Sequence, residues 1–327
     1  MTIRTDDFAN QPDFTVYHTA RWRNALTTAF PHMQDVSAVV RLADGREVLL
    51  CGLMTDRVGA WRWIEAMPFA LFGGPVAKEG RLEAEDVAAV VQPLRKGAGW
   101  FSLNLDPLNR LATTAMLGEM GSTLTTHVLR LEAEPERMEK RYTKTLRYDI
   151  RQAEKQQVQA RRGTGHEDFQ RYYELTQLAA QKWGLSSTPF PAALYRALAT
   201  LPSDEVRLWL AEAEGRAIGG LLCIHYAPGR SLYWGSSMHP DAVRLNPTKL
   251  LLHRAIDEAI RAGCTTMNMG PSAGFDGRPL EGVRQFKEAF GAEAMTYAVG
   301  LAMQPWAVRA RAVRERLKRL IRRRDSE

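Results

Sequence analysis

At 327 residues the chain is long enough for two domains that each bury a core, and its hydrophobic content of 45% is ordinary for a globular protein. No apolar run approaches the ~18 residues that cross a bilayer, and the opening MTIRTDDFANQPDF is acidic without an apolar core; both predict a cytoplasmic protein with no secretory signal. The net charge of +7 is concentrated in one place: Trp306 to Arg324 hold nine basic residues and one acid, leaving the rest of the chain at −1.

In chain order, the first clear element is VVRLADGREVLLCGLM, two β-rich runs joined by Asp-Gly at Gly45, which predicts a hairpin. A helical stretch over Leu82 to Lys96 leads to GWFSLNLDP, Gly99 to Pro107. The segment Leu131 to Val158 is dense in Lys and Arg and lacks glycine, and reads as a helix opening a second domain. The same order then returns. LWLAEAEGRAIGGLLCIHY sets Gly215-Arg216 between apolar runs, 170 residues after Gly45-Arg46, and RSLYWGSSM supplies a third strand. A helix follows over Pro247 to Ala262. Asn246 is its expected N-cap, Leu251, Ala255, Ile256, Ala259 and Ile260 share one face, and Gly263 is the stop. Then GCTTMNMGP, Gly263 to Pro271, matches GWFSLNLDP in length, with Asn104 opposite Asn268 and Asp106 opposite Gly270. The second half reads strand, strand, strand, helix, strand, helix, strand. A repeat of about 165 to 170 residues suits a duplicated domain, and the predicted boundaries are 1–131, 132–304 and 305–327.

Other motifs are excluded. Cys51, Cys223 and Cys264 are scattered in apolar stretches without the spacing of a zinc site or disulfide framework, so they read as buried small side chains, and no metal is expected. The glycine-rich GPSAGFDGRPLEGVRQFKEAFGAE, Gly270 to Glu293, is no nucleotide-phosphate loop: Gly277 is followed by Arg278-Pro279 and Gly282 by Val283-Arg284.

The strand order of the second half resembles the GNAT superfamily of N-acetyltransferases, a mixed sheet with helices on both faces. In that superfamily the diphosphate of the acyl-CoA donor sits on a glycine-rich turn at a helix N-terminus. At that place the chain has VRLNPTKLLLH, without glycine and with Pro247 removing one amide. The duplicated arrangement without this turn is similar to the Fem family of aminoacyltransferases. The resemblance rests on ALFGGPVA (Ala70 to Ala77), NLDP (Asn104 to Pro107), KTLRYDIRQAEKQQVQ (Lys144 to Gln159), LYWGSSM (Leu232 to Met238) and GVRQFKEAFGA (Gly282 to Ala292).

It covers nearly the whole chain and implies an α/β fold of mixed sheets, two tandem GNAT-like domains with a basic C-terminal helix. It further implies transfer of an amino acid from aminoacyl-tRNA, as co-substrate, to an amine of a peptidoglycan precursor or related peptide, lipid-linked acceptors included. No cofactor is required. The alternative is an N-acyltransferase that uses acetyl-CoA or another acyl-CoA. Carried over by motif, Asp106 would position or deprotonate the attacking amine, and Phe286 and Lys287 would line the aminoacyl-ester site. Asn104, Gly270 and Ser272 flank these places, and Tyr233 and Trp234 are open to substrate stacking or to core packing. On spacing alone, Asp106 reads equally as a turn residue before Pro107, and Lys287 as a solvated helix lysine. Two family positions that hold basic side chains carry Thr188 and Asn24 here. In the basic tail Trp306, Ala310, Val313, Leu317 and Leu320 share a helical face, and Arg314, Lys318 and Arg322 are candidates to contact RNA or a membrane surface.

Overall fold

The computed structural model describes residues 4–185, 187–273 and 280–306, with 309, 310 and 313. The chain divides into two compact units, Met1–Leu124 with Tyr297–Glu327, and Thr125–Thr296.

In the first unit, helix α1 (Ala20–Ala29) starts where the Thr19 hydroxyl accepts from the Trp22 amide, and it buries Trp22, Arg23 and Leu26. Strands β1 (Gln34–Asp35), β2 (Ala38–Arg41), β3 (Glu47–Leu50) and β4 (Leu53–Val58) make one long antiparallel hairpin turned at Gly45, which holds φ +90. The pairs Asp35↔Leu53 and Ala38↔Leu50 keep a single register across the interruption, where the Val36 amide still bonds the Gly52 carbonyl. The base of the hairpin pairs with β5 (Trp61–Glu65) and its tip with β6 (Pro75–Ala77). Helix α2 (Ala84–Arg95) buries Val87, Val90, Val91 and Leu94, the i, i+3, i+4, i+7 stripe of a helix lying on a sheet. It delivers β7 (Ala98–Leu103) parallel to β5, with Ile64 opposite Phe101. A short α3 (Thr114–Leu117) follows.

Strand β8 (Gly121–Arg130) carries the chain into the second unit. Where the sequence predicts one helix there are two, α4 (Pro135–Arg141) and α5 (Lys144–Lys155). The break is made by Tyr142, buried and extended, and by Thr143, whose hydroxyl accepts from the Leu146 amide and so caps α5. Strand β9 (Gln159–Gly163) leads to α6 (Gly165–Lys182) and α7 (Ala192–Leu198), two helices that the reading of the sequence did not contain. Then β10 (Val206–Ala213), β11 (Arg216–Ala227) and β12 (Arg230–Met238) run antiparallel, α8 (Pro247–Arg261) crosses over, and β13 (Thr266–Asn268) pairs parallel to β12. The strand order in this unit is β8-β13-β12-β11-β10-β9. Helix α9 (Glu281–Ala289) follows, and β14 (Glu293–Met303) returns to the first unit, pairing Gly300 with Leu103 of β7.

The expected repeat is visible: hairpin, strand, helix, parallel strand occurs as β1 to β4, β5, α2, β7 and again as β10-β11, β12, α8, β13. Side chains alternate faces along a strand, and Gly219 and Gly220 of β11 show how tightly both faces are covered. A Cβ on Gly219 would stand 2.9 Å from Pro247 of α8, and one on Gly220 would stand 2.4 Å from Tyr172 of α6. Only hydrogen fits there.

Helix α8 ends as expected. Gly263 has φ +78, its amide bonds the Ile260 carbonyl, and the Cys264 amide bonds the Ala259 carbonyl, a Schellman closure. The start differs from expectation: Asn246 is left-handed at φ 52 and its side chain caps no amide, because Oδ1 accepts from Lys249 Nζ at 3.1 Å instead. The three cysteines are buried and free. Among the described residues no helix is long and apolar enough to cross a membrane.

Candidate functional site

Two strand ends, one in each unit, hold the residues that the sequence singles out. In the second unit the parallel ladder between β12 and β13 ends at Leu232↔Asn268, while β12 continues to Met238, so the two strands part there. On the other side of β13 the pairing with β8 continues further: the His127 amide bonds the Gly270 carbonyl and the Met269 amide bonds the His127 carbonyl. Asn268, 2% exposed, fixes the turn. Its Oδ1 accepts from the Thr126 hydroxyl at 2.7 Å and from the Gly270 amide at 2.9 Å. Gly270 holds φ +72, a conformation that glycine reaches without steric cost.

Lys287 closes this turn from α9. It is 3% exposed, not solvated, and its Nζ donates to the Gly270 carbonyl at 2.9 Å and the Pro271 carbonyl at 2.5 Å. Burial lowers its pKa to about 8, so at neutral pH it remains an ammonium, with three N–H groups of which these two bonds use two. Phe286 beside it packs on the core with its ring 5.3 Å from that of Phe290. His127 is also 3% exposed, with Nδ1 3.2 Å from the Ser272 hydroxyl. Burial, and after it the Lys287 charge, lowers its pKa, which keeps the ring neutral at pH 7. Thus Lys287, Gly270, Ser272 and Asn268 come together, joined by His127 and Thr126, which reading the sequence missed. Their signal was the β-branched, apolar run STLTTHVLRL, a strand by composition.

Tyr233 and Trp234 sit on β12 just where it parts from β13, but their side chains are engaged in packing. Tyr233 Oη lies 2.5 Å from the Ser236 hydroxyl, and burial pushes its pKa up to about 12. Trp234 stacks on Phe190 with centroids 4.6 Å apart. Thr188 donates to the Phe190 carbonyl, and Asn24 is exposed on α1.

The corresponding end of β7 in the first unit is closed by the loop before β6. The Ala66 amide bonds the Ser102 carbonyl, the Gly73 amide bonds the Asn104 carbonyl, and Asn104 Nδ2 donates to the Leu71 carbonyl at 2.8 Å. Phe69 and Ala70 in that loop are left-handed at φ 65 and 58, uncommon for residues with a Cβ. His18 adds a further tie: Nδ1 accepts from the Thr15 amide and Nε2 donates to the Gly74 carbonyl, and burial pulls its pKa down to about 4. Asp106 follows, 3% exposed. Its Oδ1 accepts from the Leu108 amide and its carbonyl from the Asn109 amide, so it does form the turn before α3. It is also electrostatically active. After burial, its charge is the next cause that raises the hydroxyl pKa of Tyr17 and of Tyr297, the latter to about 12.

Among the described residues, the two crossover helices of the repeat, α2 and α8, do not offer a diphosphate the usual helix terminus. At α8, Pro247 has no N–H and the Lys249 and Leu250 amides both bond the Asn246 carbonyl, leaving Thr248 alone of the first turn. At α2 the first turn carries Glu85 and Asp86 behind Glu83, acids that repel an anion. Arg314, Lys318 and Arg322 lie outside the described residues. Trp306, at the start of the basic segment, meets Trp61 edge-on at 4.2 Å.

Residues 140–288 match a protein-family model described as an acetyltransferase (GNAT) domain. The fold of these residues is of the GNAT type. Among solved structures the chain is similar to FemX, with a TM-score of 0.66 at 12% identity over 91% of this chain and 96% of that one. It is also similar to a conserved protein of unknown function from Bacteroides thetaiotaomicron, TM-score 0.55 at 10% identity over 92% and 99%. A third likeness is to the C-terminal domain of a protein described as a lysylphosphatidylglycerol synthetase from Agrobacterium fabrum, TM-score 0.52 at 12% identity over 94% and 92%. No curated protein sequence matches the chain.

Proposed function

We propose that the chain is an aminoacyltransferase that moves an amino acid from aminoacyl-tRNA to an amine of a cell-wall peptide precursor or related peptide. The observation that carries this reading is an acyltransferase fold whose diphosphate-binding helix termini are closed in one unit by Pro247 and the Asn246 carbonyl, and in the other by first-turn acids. A donor that brings its acyl group as a ribose ester needs no such anion site. The likeness to FemX over nearly both chains supports the same choice.

Aminoacyl esters are already activated, so the protein must orient two substrates, handle a proton and steady an oxyanion. In the proposed step the acceptor nitrogen attacks the ester carbonyl carbon, a C–N bond forms, and the C–O bond to the ribose breaks. The proton lost by the amine passes to a base, the role that the Fem resemblance gives Asp106, and returns to the departing ribose oxygen. The Lys287 ammonium, held by two carbonyls and keeping a third N–H, stabilises the developing oxyanion. Phe286 and the Gly270 to Ser272 turn border the aminoacyl group. No redox or covalent enzyme intermediate is needed for this balance.

The family match to an acetyltransferase domain over residues 140–288 favours one other reading, acyl transfer from acyl-CoA. One assay separates the two. The purified protein is given a pool of charged tRNAs bearing labelled amino acids, or labelled acetyl-CoA, with peptide precursors as acceptors. Label transferred from tRNA is the expected result; transfer from acetyl-CoA alone would overturn the proposal.

A further inference from the structure

Helix α5 carries a charged face that neither the strand ends nor the fold account for. Lys144, Arg147, Arg151 and Lys155 recur at i, i+3, i+7 and i+11, a stripe about 80° wide on a helix of 3.6 residues per turn. Tyr148, 57% exposed, stands at its edge. The opposite face, Leu146, Ile150 and Ala153, is buried in the core. The helix has two acids besides, and both are paired with α8: Asp149 with Lys249 Nζ at 2.6 Å and Glu154 with Arg254 at 2.7 Å. Among the described residues no carboxylate pairs with any of the four cations of the stripe; Arg147 donates only to the Lys140 carbonyl. The result is a row of four uncompensated charges about 16 Å long with an aromatic ring at its edge.

The row also has an origin. The amide of Thr143, the cap of α5, bonds the Ala289 carbonyl at the end of α9, and the Tyr142 ring meets that of Phe290 at 5.1 Å. Lys144 therefore begins the stripe next to the helix that carries Lys287.

We propose that this face of α5 is an RNA-docking surface, on which the phosphate backbone of the tRNA donor lies while its aminoacyl end reaches the Lys287 turn. The inference rests on the function proposed above. Four unpaired cations fit consecutive phosphates, and an exposed tyrosine fits a base or ribose to stack on. An anionic membrane is the poorer occupant, because a helix that lies on lipid inserts its apolar face, and here that face is already buried in the unit's own core.

The test uses the full chain and uncharged tRNA, with binding followed by fluorescence anisotropy over a NaCl series. Replacing Lys144, Arg147, Arg151 and Lys155 together by Ala should make the log–log salt slope shallower by about 3 and weaken binding at ~0.1 M salt by about tenfold or more. Tyr148→Ala should weaken binding about fivefold or more with the slope unchanged, the signature of stacking. Circular dichroism should not change, since none of the five side chains enters the core, and the thermal midpoint should fall only by the loss of the bond from half-buried Arg147 to the Lys140 carbonyl. An unchanged slope in the fourfold variant overturns the proposal. So does wild-type binding to phosphatidylglycerol vesicles that the fourfold variant loses while its tRNA binding persists. Transfer from charged tRNA together with an unchanged slope rejects the surface and keeps the function. The reduced slope with no transfer from any charged tRNA keeps the surface and rejects the function.

Discussion

The ends of β7 and β13 share one frame, Asn104-Leu-Asp106-Pro107 and Asn268-Met-Gly270-Pro271, and the two units use it differently. In both, the asparagine ties neighbouring backbone: Asn104 holds the Leu71 carbonyl, and Asn268 holds the Gly270 amide and the Thr126 hydroxyl. The third residue is where they diverge. In the first unit it is a buried acid at an end closed by the loop Ala66 to Gly74; in the second it is a glycine at an end where β12 parts from β13, and a lysine arrives from another helix. The asparagine serves folding in both copies, and the third position differs in charge: a buried carboxylate in one, and in the other a carbonyl that anchors a lysine ammonium.

Two substitutions test this division most strongly. Asp106→Asn keeps an oxygen for the Leu108 amide but removes the charge. Turnover in the transfer assay should fall by ~10² to 10⁴, the contribution of a proton-transfer group, with the thermal midpoint little changed. Retained turnover would make Asp106 a turn residue only. Lys287→Met fills the same space without charge. It should lower turnover by ~10² to 10³, as removal of an oxyanion donor does, and a loss confined to KM would remove Lys287 from the proposed transition state.

How much of this contrast is legible in the sequence depends on how local its causes are. The hairpins at Gly45 and Gly215, the helix over Pro247–Arg261 with its glycine stop, and the Asn104–Asn268 correspondence are written in contiguous residues. The strand order of the second half follows from them. The burial of Lys287 is not local: it depends on carbonyls 16 and 17 residues back along the chain, and from its own helix it reads as a solvated lysine. His127 is 145 residues from Ser272 in sequence. The side chain of Asn246 shows a local signal misleading, since it fits an N-cap by type but bonds Lys249 instead. Helices α6 and α7 were missed because their apolar residues are interleaved with tyrosines, and no cap bond marks their starts.

A third effect of the contrast is a pH dependence of stability. The folded pKa of Lys287, about 8, lies below its ordinary 10.5, so between these values the unfolded chain binds more protons and stability rises with pH. Relative to Lys287→Met, the wild type should gain up to about 3 kcal/mol from pH 8 to pH 10.5, and nothing between pH 6 and 7, where both forms are protonated. Parallel urea-unfolding curves over that range would contradict it. The asparagines come next. Asn268→Ala strands the Gly270 amide and the Thr126 hydroxyl in a buried place and should cost ~1 to 3 kcal/mol. Asn104, half-buried, should cost nearer ~1 kcal/mol, because water can replace its bond to Leu71. Equal losses would mean that the two clamps do the same work.

The smallest expected effect addresses the third position itself. A Cβ on Gly270 would meet nothing closer than Lys287 Nζ at 3.9 Å, so Gly270→Ala has room, and its penalty is the left-handed backbone alone, about 1 kcal/mol. Asparagine and aspartate tolerate that conformation better, so Gly270→Asn should cost less than Gly270→Ala in urea unfolding. Gly270→Asp rebuilds the first unit's residue in the second. Its carboxylate would stand beside the Lys287 ammonium, raise the lysine pKa above about 8, and move the rise in stability to higher pH. If Gly270→Ala is as stable as the wild type, the turn does not need its left-handed glycine, and the second strand end could have kept the aspartate of the first.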